Sequence, residues 1–469
     1  MNFNHSPSEI ISPAAALGII EQPDTGEQPP ARTGNASPPP TVEVDAYYDA
    51  GRKEYLVQND GGRWLSHNET GIRRIFRSRG ISTKVPEGAQ MSPAELEMLR
   101  IQNTRDVQYA APLAGRDSGF YEENGVRLLV STSPQLIAPS EGEFPLIDAI
   151  LNGLFRDKEP AHGVTQKAII IGWLASAVLS LYGKQPRPGQ AIAFAGPPGC
   201  GKSVMQNKII TPLLGGRSAK AALFMQGRTH FNADLFQCEH LMLEDESSDT
   251  DIRSRLNLAS NLKQIAVNEI QSCHGKGKQI VPLKPWWRLS ISLNDDPERL
   301  LILPPLNNDV ADKIIILRAS AFVWPMPTST GEQWAEMMEA VAAEMPAFLN
   351  YLLGYSPMPE HQSDRYGVKE WHHPDLVAEL ADLAPEAAFA ELLAQYLKDS
   401  PAPAWRGTAH ELRTALFEHE STQRDARDLL KWPGAAGSYL GRLAKKGHRL
   451  ITVENHRTME AREWEVHLR

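Results

Sequence analysis

Cysteine is scarce in this chain. The 469 residues hold three, Cys200, Cys238 and Cys273. They are too few and too scattered for a disulfide framework or a zinc module, and nothing about them requires an oxidising compartment. Long hydrophobic runs are also missing. The most apolar stretch, Ala168 to Tyr182 (AIIIGWLASAVLSLY), is about fifteen residues, short of the eighteen or more that span a bilayer. Its Gly, Ser and Trp fit a buried helix. The first residues lack the basic flank and continuous apolar core of a secretory signal, so a cytoplasmic location without a membrane partner is expected. Positive charge is not in excess, since 48 Lys and Arg face 57 Asp and Glu for a net charge of −9. A chain coated in basic charge is excluded, but local basic patches are not. There is no internal repeat at periods of about 20–50 residues.

What is present is the composition of an ordinary globular protein, 42% hydrophobic and 22% charged. The length suits about two to four domains. Residues 1–43, rich in Pro, Ser, Gly and Ala, cannot bury enough apolar surface to offset their ordering entropy and are expected to be a disordered leader. Residues 44–140 then suggest a small α+β domain. AYYDAGRKEYLVQNDGGRWLSH has the aromatic and β-branched residues around Gly-rich turns that mark a hairpin. A basic helix follows, with Ile72, Ile75 and Phe76 on one face and Arg73, Arg74, Arg77 and Arg79 around it; it reads equally as a DNA contact or a solvated face. Ser92 and Glu95 have capping-box spacing, and VRLLVST adds a strand. Residues 141–189 read as helices leading into a core at 190–325, where apolar strands alternate with helices, the pattern of a mainly parallel α/β sheet. Residues 326–400 are expected to be helical, and Pro401 and Pro403 mark a linker to a last unit, 401–469.

The strongest local signal is Gly196-Pro197-Pro198-Gly199-Cys200-Gly201-Lys202-Ser203, a full match to G-x-x-x-x-G-K-[ST] between an apolar strand and a helix that opens at Val204. Glycines let backbone N–H groups wrap phosphates, and a helix N-terminus favours negative charge. Lys202 then reaches the β- and γ-phosphates of ATP, and Ser203 ligates Mg²⁺. Downstream, HLMLEDE is an apolar strand ending in acids. Asp245 is assigned to Mg²⁺ and Glu246 to the attacking water; a slip of one residue would make the pair Glu244 and Asp245. A further strand, Leu289–Leu293, ends at Asn294, whose side chain can hold that water against the γ-phosphate.

In this order, GPPGCGKS, LMLEDE and SISLND resemble the superfamily 3 helicases, in particular the poxvirus- and phage-type primase-helicase branch. The resemblance covers residues 145–325. It implies an AAA+-like P-loop ATPase core, a homo-hexamer hydrolysing ATP between subunits, single-stranded and forked DNA as substrate, and a replication role in a phage, satellite or plasmid. It also implies a Lys-bearing helix running into a DNA-tracking pore hairpin. LKQIAVNEIQSCHGKGKQIVPLKP matches, with Lys263 on the helix and His274, Lys276 and Lys278 at the tip; a solvated basic turn is the alternative. Two features depart from the family. No primase domain precedes the motor, so a separate primase or polymerase becomes the expected partner. Its arginine-finger pair is also replaced by Asp312-Lys313, which leaves Lys313 and Arg318 as candidates. Arg228 and Asn232, in RTHFNADLF, stand either at a subunit interface or in packing.

The last unit reads as helix, helix, helix and two strands, a winged-helix pattern. GAAGSYLGRLAKKG is its recognition helix and ENHRTMEARE its wing. Arg442, Lys445, Lys446, Arg449 and Arg457 are spaced for phosphate contact. The rival to a helicase is an ATP-regulated initiator or loader that binds DNA without processive unwinding. An RNA-directed motor and a remodeller that binds no nucleic acid are the remaining alternatives.

Overall fold

In the core, the residues facing the two sides of each strand explain why its strands read as unbroken apolar runs. A computed structural model describes residues 44–157, 165–185, 187–244, 252–267, 270–277, 279–306, 309–382, 385–457 and 462–469. The small elements come first: β1 (Ala46–Asp49), β2 (Glu54–Gln58) and β3 (Trp64–His67) form an antiparallel meander, one strand more than the expected hairpin, with β4 (Asp106–Val107) parallel to β1. The basic helix Glu69–Ser78 buries Ile72 and Phe76 against it. Ser92 and Glu95 close a full capping box on the helix Pro93–Thr104. A second sheet joins β5 (Tyr109–Ala111), β6 (Gly119–Glu123) and β7 (Val126–Val130).

The central sheet has five parallel strands: β8 (Ala191–Ala195), β9 (Ser218–Lys220), β10 (His240–Glu244), β13 (Arg288–Leu293) and β14 (Ile314–Arg318). Between them β11 (Gln271–Cys273) and β12 (Val281–Leu283) form a separate antiparallel hairpin. The sheet order is β14-β8-β13-β10-β9. Successive side chains alternate between faces. Ala191, Ala193 and Ala195 of β8 therefore join Ile314 and Ile316 in one core, while Ile192 and Phe194 join Ile315 and Leu317 in the other. Helices cover both faces, and a parallel sheet needs that cover. The second core takes in the helix Gln166–Tyr182, nearly all of it buried, and the helix Gly331–Gly354.

The first core extends into the N-terminal part, for Tyr109, Leu113, Val126, Leu128 and Val130 pack in it beside Leu241 and Trp287. A buried ion pair clasps the same junction. Arg217 donates to both carboxylate oxygens of the fully buried Glu239, which also accepts from the backbone N–H of Gly115 at 2.8 Å. Arg217 donates further to the Thr132 carbonyl. Arg217→Ala leaves that carboxylate buried and uncompensated, and denaturant unfolding is expected to show a loss of about 3–5 kcal/mol. A loss within the range of an ordinary surface change would contradict this.

Next in the chain come β15 (Gln362–Ser363), β16 (Gly367–Val368) and the helices Pro374–Asp382 and Pro385–Asp399; Val368 joins the second core and Leu376 the first. The C-terminal unit has three antiparallel strands, β17 (Ala404–Thr408), β18 (Ile451–Arg457) and β19 (Arg462–Leu468), ordered β17-β19-β18. Helices Ala409–Glu418, Gln423–Leu429 and Ala435–Lys446 pack on it. Its core reaches back across Pro401 and Pro403 to Phe389, Leu393 and Leu397. Among the described residues, no helix is long and apolar enough to cross a membrane.

Candidate functional site

Strand order decides which residues meet. β13 inserts between β8 and β10, in register Leu293 to Ala195 and Ser292 to Glu244. The carboxyl ends of β8, β13 and β10 thus stand side by side at one edge of the sheet, where ligands bind in open α/β folds.

From β8 the chain enters the Gly196–Ser203 loop. Gly196 is squeezed between neighbours, and a Cβ there would lie 2.2 Å from the Ala319 carbonyl oxygen. Gly199 and Gly201 adopt φ of +71° and +107°, conformations that glycine takes without steric cost. A Cβ on Gly199 would meet nothing within 4 Å, so the loop offers its backbone to open space. The helix starts at Lys202, winds as a π-helix from Met205 to Ile210 and closes with Thr211–Leu213. Pro212 has no N–H to continue the α ladder, and the Thr211 N–H and hydroxyl both donate to the Gln206 carbonyl.

Lys202 is buried, and its ammonium donates to the carbonyls of Gly196 (2.7 Å) and Pro197 (2.8 Å) and to Asn294 Oδ1 (3.2 Å). The lysine and the polar residue after β13, separated by ninety-two positions, are therefore in direct contact. Ser203 is exposed at the start of the helix, with its hydroxyl available to a hard cation, the donor chemistry that Mg²⁺ takes. Among the described residues, no group of three or more His, Cys, Asp or Glu is set to hold a metal ion. Glu244 pairs with Lys220 of β9 at 2.6 Å. Asp245 and Glu246 lie outside the described residues, as does Lys278; the side chains of Lys446 and Arg457 do too.

Beneath the loop lies a closed polar ring. Gln206 Nε2 donates to Ser290 Oγ (2.7 Å), which lies 2.7 Å from His240 Nε2; His240 Nδ1 lies 2.7 Å from Thr211 Oγ1. The Thr211 proton is spent on the Gln206 carbonyl at 2.9 Å, so His240 must carry its own proton on Nδ1 and accept from Ser290 through Nε2. Complete burial holds the His240 imidazolium down to a pKa of about 3. The ring ties the helix after the loop to the first residue of β10 and the middle of β13.

The finger candidates stand at opposite edges. Arg318 ends β14 beside Ala195. It forms ion pairs with Asp295 (3.9 Å), Asp375 (3.4 Å) and Glu379 (3.3 Å). Lys313 precedes Ile314 at the other end of the same strand, whose five residues alone span roughly 13 Å at about 3.3 Å per residue, and pairs with Asp312 at 2.6 Å.

On the hairpin, Lys276 is exposed at the tip and Gly277 takes φ of +70°. His274 follows Cys273, the last paired residue of β11, at the start of the turn, its ring 5.0 Å from that of Phe231. The buried Asn232 clamps this point: its backbone N–H donates to the His274 carbonyl, its side-chain Oδ1 accepts from the His274 N–H, and its Nδ2 donates to the Ser272 carbonyl. Lys263 reaches Asp309 at 3.2 Å. A cleft of about 230 Å³ lies between the turn Asp49–Arg52 and the hairpin residues Cys273, Gly275 and Gln279. In the C-terminal unit, Lys445 is exposed, whereas Arg442 is paired with Glu386 at 3.2 Å and Arg449 with Glu391 at 3.6 Å.

A family model described as a family of unknown function (DUF5906) matches residues 194–304, from within β8 to just past Asn294. No curated protein matches the chain. Two structures of the NrS-1 C-terminal region do match in fold over 91% of this chain at 14% identity. One gives a TM-score of 0.51 with 96% of that chain covered, the other 0.50 with 97%. At this identity the likeness is one of fold: a mixed α/β chain built on a parallel sheet. A structure of an active helicase, SCCmec type IV Cch, aligns at a TM-score of 0.28 and 13% identity, over 86% of this chain and 70% of that one; at that score it adds nothing to the argument.

Proposed function

We propose that this chain is an ATP-driven motor of the superfamily 3 helicase type. It moves along single-stranded DNA and opens duplex during replication of a phage, satellite or plasmid. The observation that carries the reading is the contact between Lys202 and Asn294 at the end of β8, produced by β13 lying between β8 and the acid-ending β10. A glycine loop, a lysine, a polar strand end and an acidic strand end in that order are the parts of phosphoryl transfer to water.

In this reading the backbone N–H groups of Gly199 to Ser203 bind the phosphates, and Lys202 exchanges its neutral carbonyl acceptors for the β- and γ-phosphate oxygens. Asn294 keeps its amide beside the lysine and orients the attacking water, which Glu246 activates as base. Ser203 and Asp245 hold Mg²⁺, which when bound offsets charge on the phosphate oxygens. Lys313, far from its own loop, is suited to act on a neighbouring subunit's nucleotide in a homo-hexamer. Arg318, surrounded by three carboxylates, is suited to a role within its own subunit.

The exposed Lys276 and the hairpin that carries it engage the DNA backbone in the pore, with Lys263, His274 and Lys278 beside it. The C-terminal unit, read as a winged helix, meets duplex through Lys445, Lys446 and Arg442. Arg442 must first give up Glu386.

Strand displacement on forks with 3′ or 5′ tails tests the proposal. Lys276→Ala is expected to slow unwinding on the order of tenfold or more with ATP affinity unchanged. Unwinding that survives this change removes the hairpin from the mechanism. Absence of unwinding by the wild type, with sequence-specific duplex binding retained, would select the initiator reading.

A further inference from the structure

The flank of β8 opposite Asn294 carries an aromatic group that the phosphate chemistry does not use. After Arg318 the chain runs past the loop as Ala319–Trp324, with the Ala319 N–H bonded to the Ala195 carbonyl at 2.7 Å. This brings Trp324 against the loop. A Cβ on Gly201 would lie 3.1 Å from Trp324 Cη2, 3.3 Å from Cζ2 and 3.6 Å from Phe322 Cε1. Phe322 and Trp334 brace the indole, with ring centroids 4.7 Å and 5.4 Å away, Trp334 edge-on at 87°. Trp324 is nevertheless only half-buried.

Sheet order gives this group a direction. β13 and β10, with Asn294 and the acidic strand end, lie on one side of β8, whereas β14 and the segment leading to Trp324 lie on the other. A triphosphate laid on the loop with its terminus toward Asn294 must direct its nucleoside toward β14. We propose that Trp324 is the stacking wall for the nucleotide base, braced by Phe322 and Trp334. This rests on the reading of the loop as an ATP site and adds how the nucleoside is held. An indole face held in place by neighbours stacks any base with little ordering cost.

Calorimetric titration of the full chain with a non-hydrolysable ATP analogue and, separately, with inorganic tripolyphosphate tests this. Trp324→Ala is expected to weaken the analogue on the order of tenfold and to leave tripolyphosphate binding unchanged, and Trp324→Phe is expected to restore most of the loss. Unchanged analogue affinity in Trp324→Ala would overturn the inference. So would an equal loss for both ligands, because the ring would then merely shape the loop. A wild type that binds tripolyphosphate and the analogue equally well also rejects a base contact, while a wild type that binds neither overturns the underlying ATP reading together with it.

Discussion

Lys202→Ala is expected to lower ATP turnover by a factor of about 10² or more with the fold retained. The lysine is buried, yet the three oxygens that its ammonium reaches belong to two backbone carbonyls and an amide. None carries a charge, so an arriving phosphate is a much better partner than any of them. Removing the ammonium takes away positive charge at the point where negative charge grows during transfer. The backbone cradle stays, because it depends on Gly196, Gly199 and Gly201 and on the packing of Ala319. Phosphate release at saturating ATP, with circular dichroism as the control for folding, checks the claim. Turnover within a few-fold of wild type in the variant would contradict it.

The second large effect is acid destabilisation through His240. Its imidazole is fully buried, and burial lowers its pKa from 6.5 to about 3. The unfolded chain therefore binds a proton that the folded chain refuses. By linkage, the stabilisation is complete above about pH 6.5 and is lost progressively as pH falls toward 3. At about 1.4 kcal/mol per pH unit, the whole window is worth on the order of 4–5 kcal/mol. Protonation would also force a second donor against Ser290 and break the ring beneath the loop. Denaturant unfolding between pH 7.5 and 4 measures the slope. His240→Gln is expected to be less stable at neutral pH and to flatten the part of the slope that this residue contributes. A slope that is identical in the variant and the wild type would place the acid sensitivity elsewhere.

The residues meeting at the loop were legible in the sequence to different degrees. AIAFA read as an apolar strand of a mainly parallel core because both faces are covered, and the structure divides its side chains, with those of the neighbouring β14, between two cores. The loop motif was legible because its glycines answer a local backbone need. Strand order was not: nothing in SISLND announces that it inserts between β8 and β10, since pairing is decided by contacts across the chain. The polar ring was equally hidden. Gln206, Thr211, His240 and Ser290 come from three elements, and each alone reads as an ordinary polar residue.

Arg318 stood out only as the nearest arginine after the missing pair. Two of its carboxylate partners, Asp375 and Glu379, come from a helix nearly sixty positions on. Asn232 was readable either as interface or as packing, and its two-way clasp on His274 gives it a packing role within the chain. Trp324 gave no signal because AFVWPMPTST has no periodicity and two prolines. In the C-terminal unit the prolines suggested a linker, yet Phe389 and Leu393 from the preceding helix complete that core.

The central claim is that ATP hydrolysis at this loop is coupled to single-stranded DNA. Steady-state hydrolysis by the wild-type chain, titrated with an unstructured single strand, tests it most directly. Turnover is expected to rise several-fold and saturate with the strand, and to stay lower by a factor of about 10² or more in Lys202→Ala at every DNA concentration. Hydrolysis that is absent, or that proceeds at one rate with and without the strand, would contradict the account.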